Sequence, residues 1–229
     1  MSTLEELEPK QLEDIVFNNI DDKNKLQNII TGKYTFPAFN KVGILIYGAW
    51  GTGKTTLARL LPDLIETARF GNQADWNFYP CIKGVNGSIM LNKIESRTQY
   101  ISWNQSDFHY IVLDEVDNLT DGTHLHLKAL MNRRDVIWIM TTNYIANIDR
   151  GLQNRCHLIE MNAASSSNWL PVCRRILQQF NLVLPDSVLE PVIHSCDGSA
   201  RDILNTMIEL GVEKNNSRSA GVSFRKDIG

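Results

Sequence analysis

Residues 48–55 read Gly-Ala-Trp-Gly-Thr-Gly-Lys-Thr, set between an apolar run that ends at Tyr47 and a helix-length amphipathic stretch. No other segment restricts the fold as tightly. Glycines at 48, 51 and 53 let the backbone turn so that successive amides converge on one anion, and a helix beginning there adds its positive N-terminal end. Lys54 supplies a fixed cation, and Thr55 a hydroxyl able to ligate a divalent ion that bridges phosphates. With Ala49, Trp50, Thr52 and Thr56 completing the turn, the segment is expected to cradle the β- and γ-phosphates of a nucleotide. A glycine-rich turn without chemical meaning would not need the flanking strand and helix.

A strand feeding such a turn belongs in a parallel sheet. Short Val- and Ile-rich runs at 42–47, 78–82, 110–113, 136–141 and 157–161 alternate with amphipathic stretches. They predict an α/β fold, a parallel five-stranded sheet flanked by helices, with strands apolar enough to be buried on both faces. Past Met161 the strands stop. A Ser165-Ser166-Ser167-Asn168 cap signal opens helices expected over 169–180, 186–194 and 200–210, which read as a small helical lid. Pro171 fits the first turn of its helix, whereas Pro62 is expected to kink the helix after the cradle or end it early. The expected organisation is a nucleotide-binding domain over 1–161, a lid over 162–212 and a loosely held polar tail over 213–229.

About sixty residues beyond the cradle, Tyr110-Ile111-Val112-Leu113 delivers Asp114-Glu115 to the carboxyl end of a strand, the edge at which open α/β sheets bind ligands. The two carboxylates suit different tasks. Asp114, with Thr55, is placed to hold magnesium, and Glu115 to orient and polarise the water that attacks a γ-phosphate. The bland alternative is a helix cap followed by a first-turn acid. A further strand runs into Thr141-Thr142-Asn143, where Asn143 is the residue expected to reach the γ-phosphate or its water. A simple strand-ending turn is the alternative there.

Composition narrows the classes of function. With 229 residues, 43% hydrophobic and 21% charged, the chain is an ordinary globular protein, long enough for one large domain or a medium one with a small companion. A formal net charge of -3 excludes gripping nucleic acid through an overall positive field, so any such contact must be local. Cys81, Cys156, Cys173 and Cys196 form no CxxC pair and no zinc-site spacing, and are expected to be reduced and buried. His124 and His126 stand two apart, which on a helix points them to different sides rather than at one metal. The acidic start without a signal-peptide core, and the lack of any run of eighteen apolar residues, give the expectation of a soluble intracellular protein with no membrane partner.

In this order the motifs resemble the AAA+ ATPases, and within them the clamp-loader branch typified by the small subunits of replication factor C. The resemblance spans nearly the whole chain and is carried by GAWGTGKT, IVLDEVDNLT, TTNYIANIDRGLQNRC and CDGSARDILN. It implies an ATP-binding and ATP-hydrolysing switch with ATP and Mg2+ as cofactors. It also implies assembly with like or related AAA+ subunits into a ring or arc on DNA, and a protein client such as a sliding clamp or a helicase. In that branch the residue matching Asn143 is sensor 1, the arginine matching Arg155 is a finger for the neighbouring subunit's ATP, and the arginine matching Arg201 is sensor 2. The triplet here reads Asn154-Arg155-Cys156, with asparagine where the branch has serine, and Gly198-Ser199-Ala200-Arg201 lacks the Asp of the lid pattern. The stretch Asp14-Ile15-Val16-Phe17-Asn18 resembles the adenine-contacting segment, which assigns that contact to Val16.

Clamp-loader subunits carry a helical collar after the lid, and this sequence stops near the lid's close. A truncated chain and a stand-alone switch, such as a helicase loader or a transposition or plasmid-maintenance ATPase, therefore both fit the resemblance. Lys83, Lys93 and Arg97 fall where clamp-loader-like rings face DNA and are the expected DNA contacts, with Asn86 and Ser88 as neutral donors to phosphates. A solvated helix face explains Lys93 and Arg97 equally well. Arg133 and Arg134 are expected to face either a neighbouring subunit or DNA. Two other functions stay open: phosphoryl transfer to a small acceptor, against which Glu115 and the Asn154-Arg155-Cys156 triplet speak, and a non-hydrolysing scaffold, against which Lys54, Asp114, Glu115 and Arg155 speak.

Overall fold

The computed structural model describes residues 8–223, with side chains as far as residue 214. Pro9–Asn162 form one compact unit, and the chain from Ala163 onward forms another. In the first, strands β1 (Gly43–Tyr47), β2 (Trp76–Pro80), β3 (His109–Asp114), β4 (Val136–Thr142) and β5 (Cys156–Glu160) pair in parallel in the order β2-β3-β4-β1-β5. Helix α1 (Ile20–Ile30) precedes β1, and the crossover connections that parallel neighbours need are supplied by helices α2 (Lys54–Phe70), α3 (Gly87–Arg97), α4 (Asp121–Leu130) and the short α5 (Arg150–Asn154).

Side chains alternate across the sheet and so divide into two cores. Ile44, Ile46, Val112 and Ile139 join Leu57, Leu61 and Ile65 of α2 on one face. Leu45, Ile111, Leu113, Trp138 and Met140 join Leu91, Ile94 and Leu127 on the other. Burial on both faces holds for β1, β3 and β4, but the edge strands β2 and β5 are largely half-exposed, contrary to the sequence expectation. Strand β2 also ends earlier than expected, at Pro80, leaving Ile82 outside the sheet and 57% exposed. Pro80 lacks an N–H, a loss that only an edge strand tolerates. Helix α2 neither stops nor shortens at Pro62: it continues to Phe70, with Pro62 buried where packing offsets the missing hydrogen bond.

The second unit consists of α6 (Ser166–Gln179), α7 (Asp186–Ser195) and α8 (Ala200–Ser223), packed through Trp169, Cys173, Ile176, Leu189, Ile193, Ile203 and Met207. Helix α6 starts at Ser166, so Pro171 lies beyond the first turn in which it was expected. Helix α8 does not stop near Leu210. A Cβ at Gly211 would come within 2.4 Å of the Phe180 ring, so that glycine permits close packing inside the helix and does not end it. Residues 213–223 of the expected loose tail are therefore helical, and 224–229 lie outside the described residues. Three of the four free cysteines are buried, but Cys196 is half-buried, its thiol directed at the Val192 carbonyl 3.4 Å away. Among the described residues no helix is long and apolar enough to cross a membrane.

One side chain ties α1 to α2. The guanidinium of Arg69 donates to the carbonyl oxygens of Ile30 (3.3 Å) and Ile29 at the end of α1 and to that of Phe36 (2.6 Å) in the loop beyond it. Arg69→Ala is expected to lower the unfolding free energy by about 3 kcal/mol, because several carbonyls lose a charged donor at once. Lysine should not restore it, since a point charge cannot span acceptors that a planar fork reaches together. Urea unfolding checks this, and an unchanged midpoint for Arg69→Ala refutes it.

Candidate nucleotide-binding site

The cradle follows from a close approach. Gly48 has φ 145°, and a Cβ there would stand 2.1 Å from the Met161 carbonyl oxygen, so only glycine lets the turn leave β1 beside the end of β5. Gly51 and Gly53 take left-handed φ values of 74° and 94°, and Gly53 caps α2. Asn162 holds the turn from behind: its Oδ1 accepts from the Ala49 amide (3.1 Å), while its own amide donates to Asn18 (3.3 Å). The half-buried Val16 sits in the stretch that Asn18 ends, and so is linked to the cradle through these two asparagines. Thr52 donates to the Ala49 carbonyl (2.9 Å), Thr55 is half-buried, and Thr56 is exposed.

Lys54 is 7% exposed and donates to the same Ala49 carbonyl. Burial lowers its pKa, against the opposing pull of Asp114, Asp117 and Glu115. Because its hydrogen-bond acceptor here is a neutral carbonyl, its charge is left for an anion in the turn. Asp114 Oδ1 accepts from two hydroxyls, Thr55 (2.8 Å) on α2 and Thr141 (2.6 Å) on β4. A hydroxyl and a carboxylate converging beside a phosphate cradle are hard oxygen donors of the kind magnesium takes, so the residues present fit a magnesium nucleotide.

Glu115 adopts a left-handed backbone, φ 59° and ψ 52°, a conformation that strains a non-glycine residue. Its amide is held by Thr141 Oγ1 (2.9 Å), and its exposed carboxylate accepts from Asn118 (3.2 Å). Thr142 donates to Asp117 (2.7 Å), which also accepts from the Asn143 amide (3.3 Å). Cys81, beside these acids, has its thiol pushed up to about 12, first by burial and then by Asp114, Asp117 and Glu115, so it stays protonated. Trp50 packs edge-on against Tyr144 with ring centroids 5.2 Å apart, linking the turn to the segment after Asn143.

The turn residues, Asp114, Glu115 and the Asn143 backbone are thus brought together. Thr141, Asp117, Asn118 and Asn162 belong to the same network; at the end of β4 sequence reasoning chose Asn143 over its neighbour Thr141, and it gave the other three no role, since short polar residues just past a strand are a signal shared with ordinary turns. Arg155 lies elsewhere. It precedes β5, at the end of the sheet away from the cradle, and donates to Gly151 O (3.0 Å) and Asn132 Oδ1 (3.1 Å) while lining a cavity of about 870 Å3 with Phe39 and Arg134. Arg201 is exposed on the first turn of α8, in the helical unit. Lys83, Lys93 and Arg97 are exposed between β2 and the end of α3. Asn86 Oδ1 is engaged in capping α3 through the Ser88 amide (3.0 Å). Arg133 is drawn into the fold, donating to Thr98 Oγ1 (2.9 Å) and to Asp135 (3.0 Å). His124 is buried against the Val116 carbonyl (3.0 Å), and His126 stands 3.9 Å from Glu95.

The model of the ATPase family associated with various cellular activities (AAA) matches residues 44–162, the stretch from β1 to the end of β5 that builds this site. The chain belongs to the AAA family. It is 26% identical over 179 residues to replication factor C small subunit 2 of Pyrobaculum islandicum, covering 76% of this chain and 55% of that protein. It is also 26% identical over 221 residues to replication factor C subunit 2 of Saccharomyces cerevisiae, covering 91% and 60%. The chain thus spans a little over half the length of the curated relatives it matches. The solved Thermotoga maritima RuvB Holliday junction branch migration motor shares the fold, with a TM-score of 0.64 at 16% identity over 88% of this chain and 64% of that one.

Thr141 is the residue whose removal tests this network. In Thr141→Val the methyl group keeps the volume, while Asp114 loses a donor and the strained Glu115 amide loses its acceptor. The expected outcome is a stability loss of about 1–3 kcal/mol from the unpaired groups, with ATP turnover falling further than ATP affinity. Titration with a fluorescent ATP analogue beside steady-state hydrolysis measures both, and equal losses in the two would remove Thr141 from the site.

Proposed function

We propose that this chain is an ATP-hydrolysing AAA switch that assembles with like or related subunits into a ring or arc on DNA, in the manner of clamp loaders, with each ATP at a subunit boundary. One observation carries the reading. Gly43 of β1 is level with Cys156 of β5, so Arg155 stands at one end of the sheet while the cradle opens five residues further along β1, roughly 16 Å away at ~3.3 Å per residue. Arg155 cannot reach a γ-phosphate held by its own chain. An arginine finger at this position serves only a neighbour's nucleotide. The kinship with replication factor C subunits supports the same arrangement and the DNA association.

In this reading Lys54 and the turn amides bind the β- and γ-phosphates, and Val16 contacts the adenine. Thr55 and Asp114 hold magnesium, which when bound neutralises phosphate charge. Glu115 orients the attacking water and accepts its proton, with Asn143 positioning the same water. Arg201 acts as the lid's sensor of the γ-phosphate. Lys83, Lys93 and Arg97 meet the DNA backbone. The client, whether a sliding clamp, a helicase or another protein, is chosen by surfaces outside this machinery.

Glu115→Gln is expected to keep ATP affinity and slow hydrolysis by about 10²- to 10⁴-fold, because the amide holds the water but takes no proton. A variant hydrolysing at the parent rate removes Glu115 from the mechanism. Arg155→Ala should leave ATP binding by the isolated chain intact and suppress hydrolysis in the assembly by about 10³- to 10⁵-fold. Mixing Arg155→Ala with Glu115→Gln restores activity if the arginine works in trans, because some interfaces then pair an intact Glu115 with an intact Arg155. Early melting with loss of ATP binding, and no recovery on mixing, would instead make Arg155 a purely structural residue of the sheet's end.

A further inference from the structure

Helix α3 has a buried face and an open one. Leu91 and Ile94 are fully buried, while Ile89, Asn92, Lys93, Ser96, Arg97 and Tyr100 line an open cavity of about 580 Å3. These positions recur at steps of three and four, a single helical stripe carried past the helix end to Tyr100. Both ionisable groups at cationic positions of the stripe are exposed, and the helix's acid, Glu95, lies off it toward His126.

Beyond Arg97 the chain holds apolar side chains out in water. Tyr100 is 78%, Ile101 87% and Trp103 91% exposed. A single exposed apolar residue needs no explanation, but three within four positions do when their loop is anchored. Asn104 is buried, accepts from the Asp75 amide (2.6 Å) and donates to the carbonyls of Asp75 and Phe108 (2.8 Å each). Ser102 donates to the Phe108 carbonyl (2.8 Å), and the His109 ring meets the Tyr100 carbonyl at 3.0 Å. The backbone is fixed and the rings stand outside it. Trp103 is three residues from Tyr100, at most about 10 Å along the chain.

We propose that the α3 stripe and the Tyr100–Trp103 loop bind single-stranded DNA, with Lys93 and Arg97 neutralising backbone phosphates and Tyr100 and Trp103 stacking on unpaired bases. The inference rests on the reading that this protein works on DNA, and deepens it by naming the strand form. Duplex DNA can use the two cations but keeps its base faces stacked inside, whereas a single strand engages cations and rings together. A purely apolar protein surface would leave both cations unpaired on burial, which disfavours that occupant.

The test measures binding of the full chain to a fluorescein-labelled oligodeoxythymidylate and to a labelled hairpin duplex of equal phosphate number, by anisotropy across a salt series. The Tyr100→Ala/Trp103→Ala variant is expected to weaken single-strand binding by about 5- to 150-fold for each stacked base lost and to leave duplex binding unchanged. Lys93→Ala/Arg97→Ala should weaken both, and lower the salt slope for the single strand by about 1.4, ~0.7 for each phosphate contact. Preserved thermal unfolding in both variants shows that the fold is intact. Unchanged single-strand affinity on removing the rings overturns this inference while leaving the DNA reading in place. Failure of the parent chain to bind either probe overturns both. Self-association that disappears with Trp103, with no change in single-strand affinity, assigns the loop to a protein contact and also overturns the proposal.

Discussion

The carboxylate of Asp114 accepts hydrogen bonds from hydroxyls on two separate elements, Thr55 at the start of α2 and Thr141 near the end of β4. Much of the site's geometry hangs on this junction. Thr55 is fixed by the turn and helix that follow β1, Asp114 by the end of β3, and Thr141 by the strand between those two in the sheet. A shift in any of the three strands would separate the hydroxyls from the carboxylate, so the sheet register is itself part of the site's chemistry. Thr141 passes the constraint on, because its oxygen also accepts from the amide of Glu115 and helps hold that residue in its left-handed backbone.

The cradle depends on the sheet in a second way. Gly48 lies where β1 and β5 finish side by side, and the Met161 carbonyl occupies the space a side chain would need. Asn162, the next residue, holds the turn's backbone through the Ala49 amide. The path of the phosphate-binding turn is therefore set by the end of a strand more than a hundred residues away in sequence. Lys54 is in turn buried, so that burial works against its charge while the field of Asp114, Asp117 and Glu115 sustains it.

The sheet also separates polar groups by direction. Its carboxyl end gathers the cradle and acids, while Arg155 and the cavity beside it open at the other end. The proposed role of Arg155 toward a neighbouring subunit's nucleotide rests on this separation of the two ends. The side chains of the α3 stripe take no part in the hydrogen bonds that build the cradle, so the surface proposed for single-stranded DNA is separate from the nucleotide site.

Much of this was legible in the sequence because its signals are local. A Gly-rich turn between an apolar run and an amphipathic stretch identifies itself over fewer than thirty residues, and Asp114-Glu115 at the end of an apolar run does so over six. The alternation of short apolar runs with helical periods carried the five-stranded parallel sheet as well. Side-chain period and turn chemistry depend on neighbours along the chain, and one sequence suffices for them. Only the tertiary structure decided which strands lie at the edge, that Pro62 and Gly211 sit inside continuous helices, and that Thr141, Asp117, Asn118 and Asn162 belong to the site. It alone put Arg155 at the far end of the sheet. Each of these turns on what a distant segment places opposite the residue: a core that offsets a proline's missing hydrogen bond, a phenylalanine ring where a Cβ would go, a carboxylate within reach of a hydroxyl. Such contacts leave no periodic trace in a sequence and come into being only when the strands pair.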